Sequence, residues 1–120
     1  MKSLRFIVTA IVAIISCAFT FAKIHDHSQM ASTKTEKIKV WGNCDLCKDR
    51  IEKAARIDGV SKAEWNKDTK VLTLAYNPSV VAGDDIQKKI AAVGHDTEKF
   101  KASDAVYKSL PGCCQYVRKK

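Results

Sequence analysis

The chain has 120 residues, 46% of them hydrophobic and 28% charged, with a formal charge of +8. That amount of apolar material suits one small folded domain and leaves little room for a second.

The first 22 residues, MKSLRFIVTAIVAIISCAFTFA, place Lys2 and Arg5 before an apolar run that closes on small residues. This is the layout of a secretory signal peptide, with Thr20 and Ala22 at the −3 and −1 positions of a cut before Lys23. Two other fates fit the same residues. The run is almost long enough to stay as a membrane anchor, and Ile14-Ile15-Ser16-Cys17 loosely resembles a lipobox, in which Cys17 would carry lipid. Each route exports the chain, to a bacterial periplasm as a free or membrane-tethered form. Loss of Lys2 and Arg5 leaves 19 basic against 13 acidic side chains, a net +6. In an exported protein such a surface suits anionic membranes, an acidic partner or plain solubility better than nucleic acid.

Residues 23–35, KIHDHSQMASTKT, are polar and aperiodic and read as a flexible linker. A domain over 36–102 follows. EKIKVW alternates with Ile38 and Val40 on one side, which predicts a strand. From Asp45 to Ile57, Cys47, Ile51, Ala54 and Ala55 recur at helical spacing, and Gly59 closes that helix. VSKAEWN and KVLTLAY predict two strands joined by a turn at Asn66-Lys67-Asp68-Thr69, with Ala63, Trp65, Leu72, Leu74 and Tyr76 facing inward. A second helix is predicted from about Gly83 to Val93, on Ile86, Ile90 and Val93, with Gly94 ending it. Thr97 to Lys101 is predicted as a last strand around Phe100. The order βαββαβ folds most simply as an α+β, ferredoxin-like sandwich: a four-stranded antiparallel sheet with two helices on one face. Residues 103–120 form a C-terminal extension in which Ser103 caps a short helix stopped by Pro111-Gly112.

Chemistry concentrates at VWGNCDLCKDRIEKAA. Cys44 falls in the first strand–helix loop and Cys47 in the first helical turn. A disulfide, a redox couple and a metal clamp are all open to a CxxC pair. Two thiolates at a helix start can converge on one ion, stabilised by free backbone N–H groups, with Lys48 and Arg50 adding positive field. Thiolates favour Cu(I) and other soft ions. The helical stripe puts Cys47 on the core side and Cys44 toward solvent, so Cys44 is the entry ligand and Cys47 the shielded one.

GNCDLCKDRIEKAA, followed by GVSKAEWN, VLTLAY and IQKKIAAVGHD, resembles the heavy-metal-associated domain family over residues 37–101. That family includes copper chaperones, metal-binding domains of copper-transporting ATPases and periplasmic mercury-binding proteins. The resemblance implies the βαββαβ fold, Cys44 and Cys47 as ligands, Cu(I) as the metal with Hg(II) or Zn(II) as alternatives, and handover by ligand exchange. It also implies a partner that is a metal-transporting membrane protein or another metal-binding domain, and a metal-free monomer. Two positions depart from the family pattern. Gly42 stands where relatives carry Met, leaving a space for Trp41 or Leu46. His95 stands where many carry an aromatic residue or Lys, and its imidazole is a candidate third ligand or an influence on the thiolates, against the alternative of an exposed loop histidine.

Two further clusters lie outside that match. Cys113-Cys114 in the tail is open to ligation, to disulfides with Cys44 or Cys47, or to a separate ion. A start at Lys23 would give Lys-Ile-His, whose amine, two backbone nitrogens and His25 imidazole can wrap Cu(II) or Ni(II) in a square plane, as an alternative to a plain polar linker. The reading as a whole is an exported, non-enzymatic soft-metal carrier or scavenger. Its rival is a periplasmic thiol–disulfide oxidoreductase using the same CxxC.

Overall fold

The computed structural model describes residues 32–120. The expected leader, Cys17 and His25 lie outside the described residues. In chain order the elements are β1 (Lys34–Lys39), α1 (Asp45–Ala55), β2 (Val60–Trp65), β3 (Val71–Tyr76), α2 (Gly83–Ala92) and α3 (Asp104–Lys108), followed by a 3-10 turn at Gly112–Cys114. The first strand starts two residues before Glu36, because Lys34 and Thr35 already pair with Tyr76 and Ala75.

β3 is the middle strand, antiparallel to both neighbours, in the order β1-β3-β2. Period-two alternation turns Ile38, Ala63, Trp65, Leu72, Leu74 and Tyr76 to one face, where all are buried. The β2–β3 turn is held by Asn66, whose side-chain oxygen accepts from the N–H groups of Asp68 and Thr69. Cys47, Ile51 and Ala55 of α1 and Ile86 and Ile90 of α2 complete the same core. α2 ends as the sequence predicts: Gly94 takes φ of +109°, and its N–H bonds to Ala91 O.

The expected fourth strand is not formed. Only Val40 and Thr97 pair, in a single antiparallel bridge. The segment closes on itself instead, as Thr97 N donates to Phe100 O at 2.8 Å and Phe100 N donates to the Thr97 hydroxyl at 3.1 Å. Lys119 Nζ takes the carbonyls of Thr97 and Glu98. The Thr97 and Phe100 backbone groups are thus taken up within the segment and by Lys119, while Asp96 O accepts from Trp41 N, and the antiparallel sheet among the described residues has three strands.

The tail docks on the domain. Ser103 caps α3, accepting from Val106 N. Leu110 packs against Gly94 so closely that a Cβ there would lie 2.9 Å from Leu110 Cδ2. Tyr116 is buried, and its hydroxyl donates to Gly94 O at 2.6 Å while accepting from Asp96 N at 2.8 Å. Arg118 grips the buried Asp96 carboxylate through both oxygens, at 2.7 and 3.1 Å, and reaches Asp104 at 2.6 Å.

Burial alone would raise the pKa of Asp96, but the Arg118 guanidinium and the Ala102 N–H outweigh it and hold the carboxyl below its usual range. A carboxylate with a lowered folded pKa stabilises the fold above its unfolded pKa, and that stability is lost as pH falls through the folded value. At neutral pH, Asp96→Asn should therefore lower stability by roughly 3 kcal/mol, in the range for breaking a buried ion pair. Urea unfolding across pH should show the gap between wild type and variant closing below about pH 4, where the unfolded carboxyl protonates.

Candidate metal centre

The site begins with Trp65. Its backbone N–H donates to Glu52 at 3.0 Å, its carbonyl accepts from Lys48 Nζ at 2.9 Å, and its indole N–H donates to Val40 O at 3.0 Å. Glu52 and Lys48 are themselves paired one turn apart on α1. This latch ties β2 to the helix that carries Cys47 and to the strand end that leads into the cysteine loop. The indole then fills the space beneath the loop: a Cβ on Gly42 would sit 3.0 Å from Trp65 Cη2 and 3.0 Å from Cys47 Cβ. Trp65 occupies the space that the sequence assigned to Trp41 or Leu46, and Leu46 is instead 54% exposed. The Lys48 ammonium is thus engaged by Glu52 and the Trp65 carbonyl.

Cys44 is the residue before α1, in extended conformation, and Cys47 lies in its first turn. Their Sγ atoms are 3.4 Å apart, with Cys44 half-buried and Cys47 fully buried. That is the exposed-and-shielded arrangement predicted from the helical stripe. The N–H of Asn43 donates to Cys47 Sγ at 3.3 Å. The tail brings in the other pair. Cys44 Sγ lies 3.0 Å from Cys113 Sγ and 3.4 Å from Cys114 Sγ. The ligand atoms of Cys44, Cys47 and Cys114 all fall within 4.8 Å of one another. All four cysteines among the described residues are free thiols.

Their protonation is unequal. Partial burial works against a charge on Cys44, but hydrogen bonds from the Cys113 thiol, the Cys47 backbone N–H and the Cys47 thiol overcome it and bring its pKa down to about 7. Cys113 is raised mainly by its hydrogen bond to Cys44. Burial, with hydrogen bonds to Cys47 and Cys44, pushes Cys114 far up. One negative charge therefore settles first on Cys44 and is shared through S–H contacts. A soft cation, which displaces those protons, resolves the crowding of the remaining thiols.

His95 is not the exposed loop histidine that stood as the alternative for it. The ring is buried, Nδ1 lies 2.8 Å from Trp41 O, and the face stacks on Tyr116 with centroids 5.4 Å apart. Nε2 is buried without a hydrogen-bond partner. Burial lowers its pKa, against the pull of the Trp41 carbonyl, so the ring is neutral at pH 7. It lies outside the sulfur cluster and supports the loop through Trp41. Sequence reasoning missed Tyr116, Leu110 and Arg118, which carry Cys114 to the site. Apolar and aromatic residues in an otherwise polar tail were the available signal. A surface depression of about 580 Å³ between Lys48, Trp65, Lys67 and Thr73 contains none of the cysteines.

No family model matches the chain. Over 67 residues it is 37% identical to the copper chaperone CopZ of Staphylococcus epidermidis, covering 53% of this chain and 98% of that protein. Over 70 residues it is 40% identical to the copper-exporting P-type ATPase of Staphylococcus saprophyticus, covering 57% of this chain and 9% of the ATPase. The chain thus spans about a tenth of the transporting ATPases that it matches. Among solved structures, a CopZ metallochaperone superposes with a TM-score of 0.51 at 32% identity, covering 53% of this chain and 98% of that one.

Two measurements probe this geometry. Iodoacetamide mapping by mass spectrometry should find Cys44 the fastest-labelled thiol of the reduced protein at neutral pH, with a rate that rises through about pH 7; Cys114 should stay unlabelled until the fold opens. Gly42→Met should lower stability by about 1–3 kcal/mol in thermal unfolding, because Trp65 already fills the space beneath the loop.

Proposed function

We propose, from the premise that this chain belongs to the heavy-metal-associated domain family, that it is a Cu(I) carrier or scavenger which binds through Cys44 and Cys47. The single observation that carries the reading is the pair of free Sγ atoms 3.4 Å apart at the start of α1, one buried and one reachable from solvent. Soft thiolates select a soft cation. A half-exposed Cys44 lets an incoming thiolate join the metal before either sulfur leaves, so tight binding and rapid transfer coexist. Hg(II) and Zn(II) suit the same sulfurs as competing cargo.

The relatives' names support the copper assignment. They also support a partner in the soluble metal-binding domain of a copper-transporting ATPase. The leader adds export to the periplasm, free or membrane-tethered, with delivery or detoxification as the outcome. No catalytic step is required. The oxidoreductase alternative draws no support from the relatives.

Anaerobic titration of the reduced protein with Cu(I), followed by thiolate-to-copper charge-transfer absorption, should saturate at one ion per chain. Cys44→Ser combined with Cys47→Ser should abolish tight binding. Unchanged binding in the double variant would move the site elsewhere, and metal-free turnover in a disulfide-reduction assay would favour the enzyme.

A further inference from the structure

The four sulfurs form two triangles with a common edge. The inner one is Cys44, Cys47 and Cys114, all within 4.8 Å of one another. The outer one is Cys44, Cys113 and Cys114, with separations of 3.0, 3.4 and 3.9 Å. Cys44–Cys114 is the shared edge. In the inner triangle two of the three sulfurs belong to fully buried residues, Cys47 and Cys114, each 0% exposed. In the outer triangle Cys47 is replaced by the exposed Cys113.

The tail is built to hold this arrangement. Cys114 lies between two buried anchors, Leu110 against Gly94 and Tyr116 against Gly94 and Asp96. Between the anchors, Cys114 N donates to Pro111 O at 2.8 Å, and the Gln115 amide donates to Leu110 O at 3.3 Å. Hydrogen bonds on both sides of Cys114 fix its backbone, so its sulfur reaches the site without further ordering of the tail. Metal–sulfur bonds of about 2.3 Å, the length that zinc thiolates take, put the three sulfurs of a trigonal site about 4 Å apart. Both triangles need only small side-chain adjustments to reach that size.

Resting on the copper reading above, we propose that the tail supplies Cys114 as the third ligand of the cargo ion, and Cys113 as the sulfur through which the ion leaves. In the step itself, Cys113 loses its proton to solvent and its sulfur bonds the ion, while the bond to Cys47 breaks and that thiolate takes up a proton. Copper stays Cu(I), and Cys44 and Cys114 remain bound throughout. The ion crosses the shared edge from the buried triangle to the exposed one, where a partner's thiolate can attack. Vicinal cysteines suit this task because adjacent residues on one turn point to different depths.

The test uses the full reduced chain under anaerobic conditions. Competition with a chromogenic Cu(I) chelator should show Cys114→Ser weakened at least about tenfold, equivalent to ~1.4 kcal/mol. Cys113→Ser, loaded with Cu(I), should pass the ion more slowly to a small dithiol acceptor in stopped flow. A check that needs no variant is the charge-transfer intensity per bound Cd(II), which scales with thiolate number and should correspond to three sulfurs in the wild type. Wild-type affinity in Cys114→Ser, or a two-sulfur Cd(II) signal, overturns the third ligand while leaving the Cys44–Cys47 site standing. Wild-type transfer by Cys113→Ser overturns the exit route. Failure of the wild-type chain to bind Cu(I) at all would remove the copper reading itself.

Discussion

The Tyr116 hydroxyl bridges Gly94 O and Asp96 N, and the arrangement of the site depends on that bridge. Together with Leu110 against Gly94 and Arg118 on Asp96, it holds the Cys-Cys tail on the domain. With it the backbone on both sides of Cys114 is fixed. The bridge is also protected from competition by water: Tyr116 is 2% exposed, stacked on His95 and met edge-on by Tyr107. A hydrogen bond in that setting is expensive to leave unmade, since loss of either partner strands a buried polar group.

A second constraint acts on the cysteine loop. Trp65 presses the cysteine loop from below and is latched to α1 through Glu52 and Lys48. The loop residue above it has no room for a side chain, which gives Gly42 a steric reason independent of any turn. Between Trp65 beneath and the tail alongside, Cys47 and Cys114 are buried and Cys44 and Cys113 remain open. A gradient of exposure across four chemically identical groups results. The protonation order follows, with the thiolate favoured at Cys44 and the thiol at Cys114. Each sulfur acquires a different role from its surroundings alone.

Much of this was legible in the residues. The helical stripe through Cys47, Ile51 and Ala55 separated a shielded cysteine from an exposed one, and strand alternation placed Trp65 and the β3 residues in the core. The rest depends on contacts between residues far apart in sequence. Phe100 suggested a strand, but its backbone is taken up by Thr97, a local turn that strand periodicity does not report. Cys113 and Cys114 are about seventy positions from Cys44, and their convergence is set by Leu110, Tyr116 and Arg118 finding Gly94 and Asp96. His95 was legible as a polar group near the loop. That its ring turns inward to the Trp41 carbonyl depends on Tyr116 arriving to cover it.

The central claim is that the tail and the CxxC loop act on one ion together. X-ray absorption at the copper K edge, on anaerobic full-length protein loaded with less than one equivalent of Cu(I), tests it most directly. The account predicts a shell of three sulfurs at one distance. A linear, two-sulfur spectrum at the same loading would contradict it.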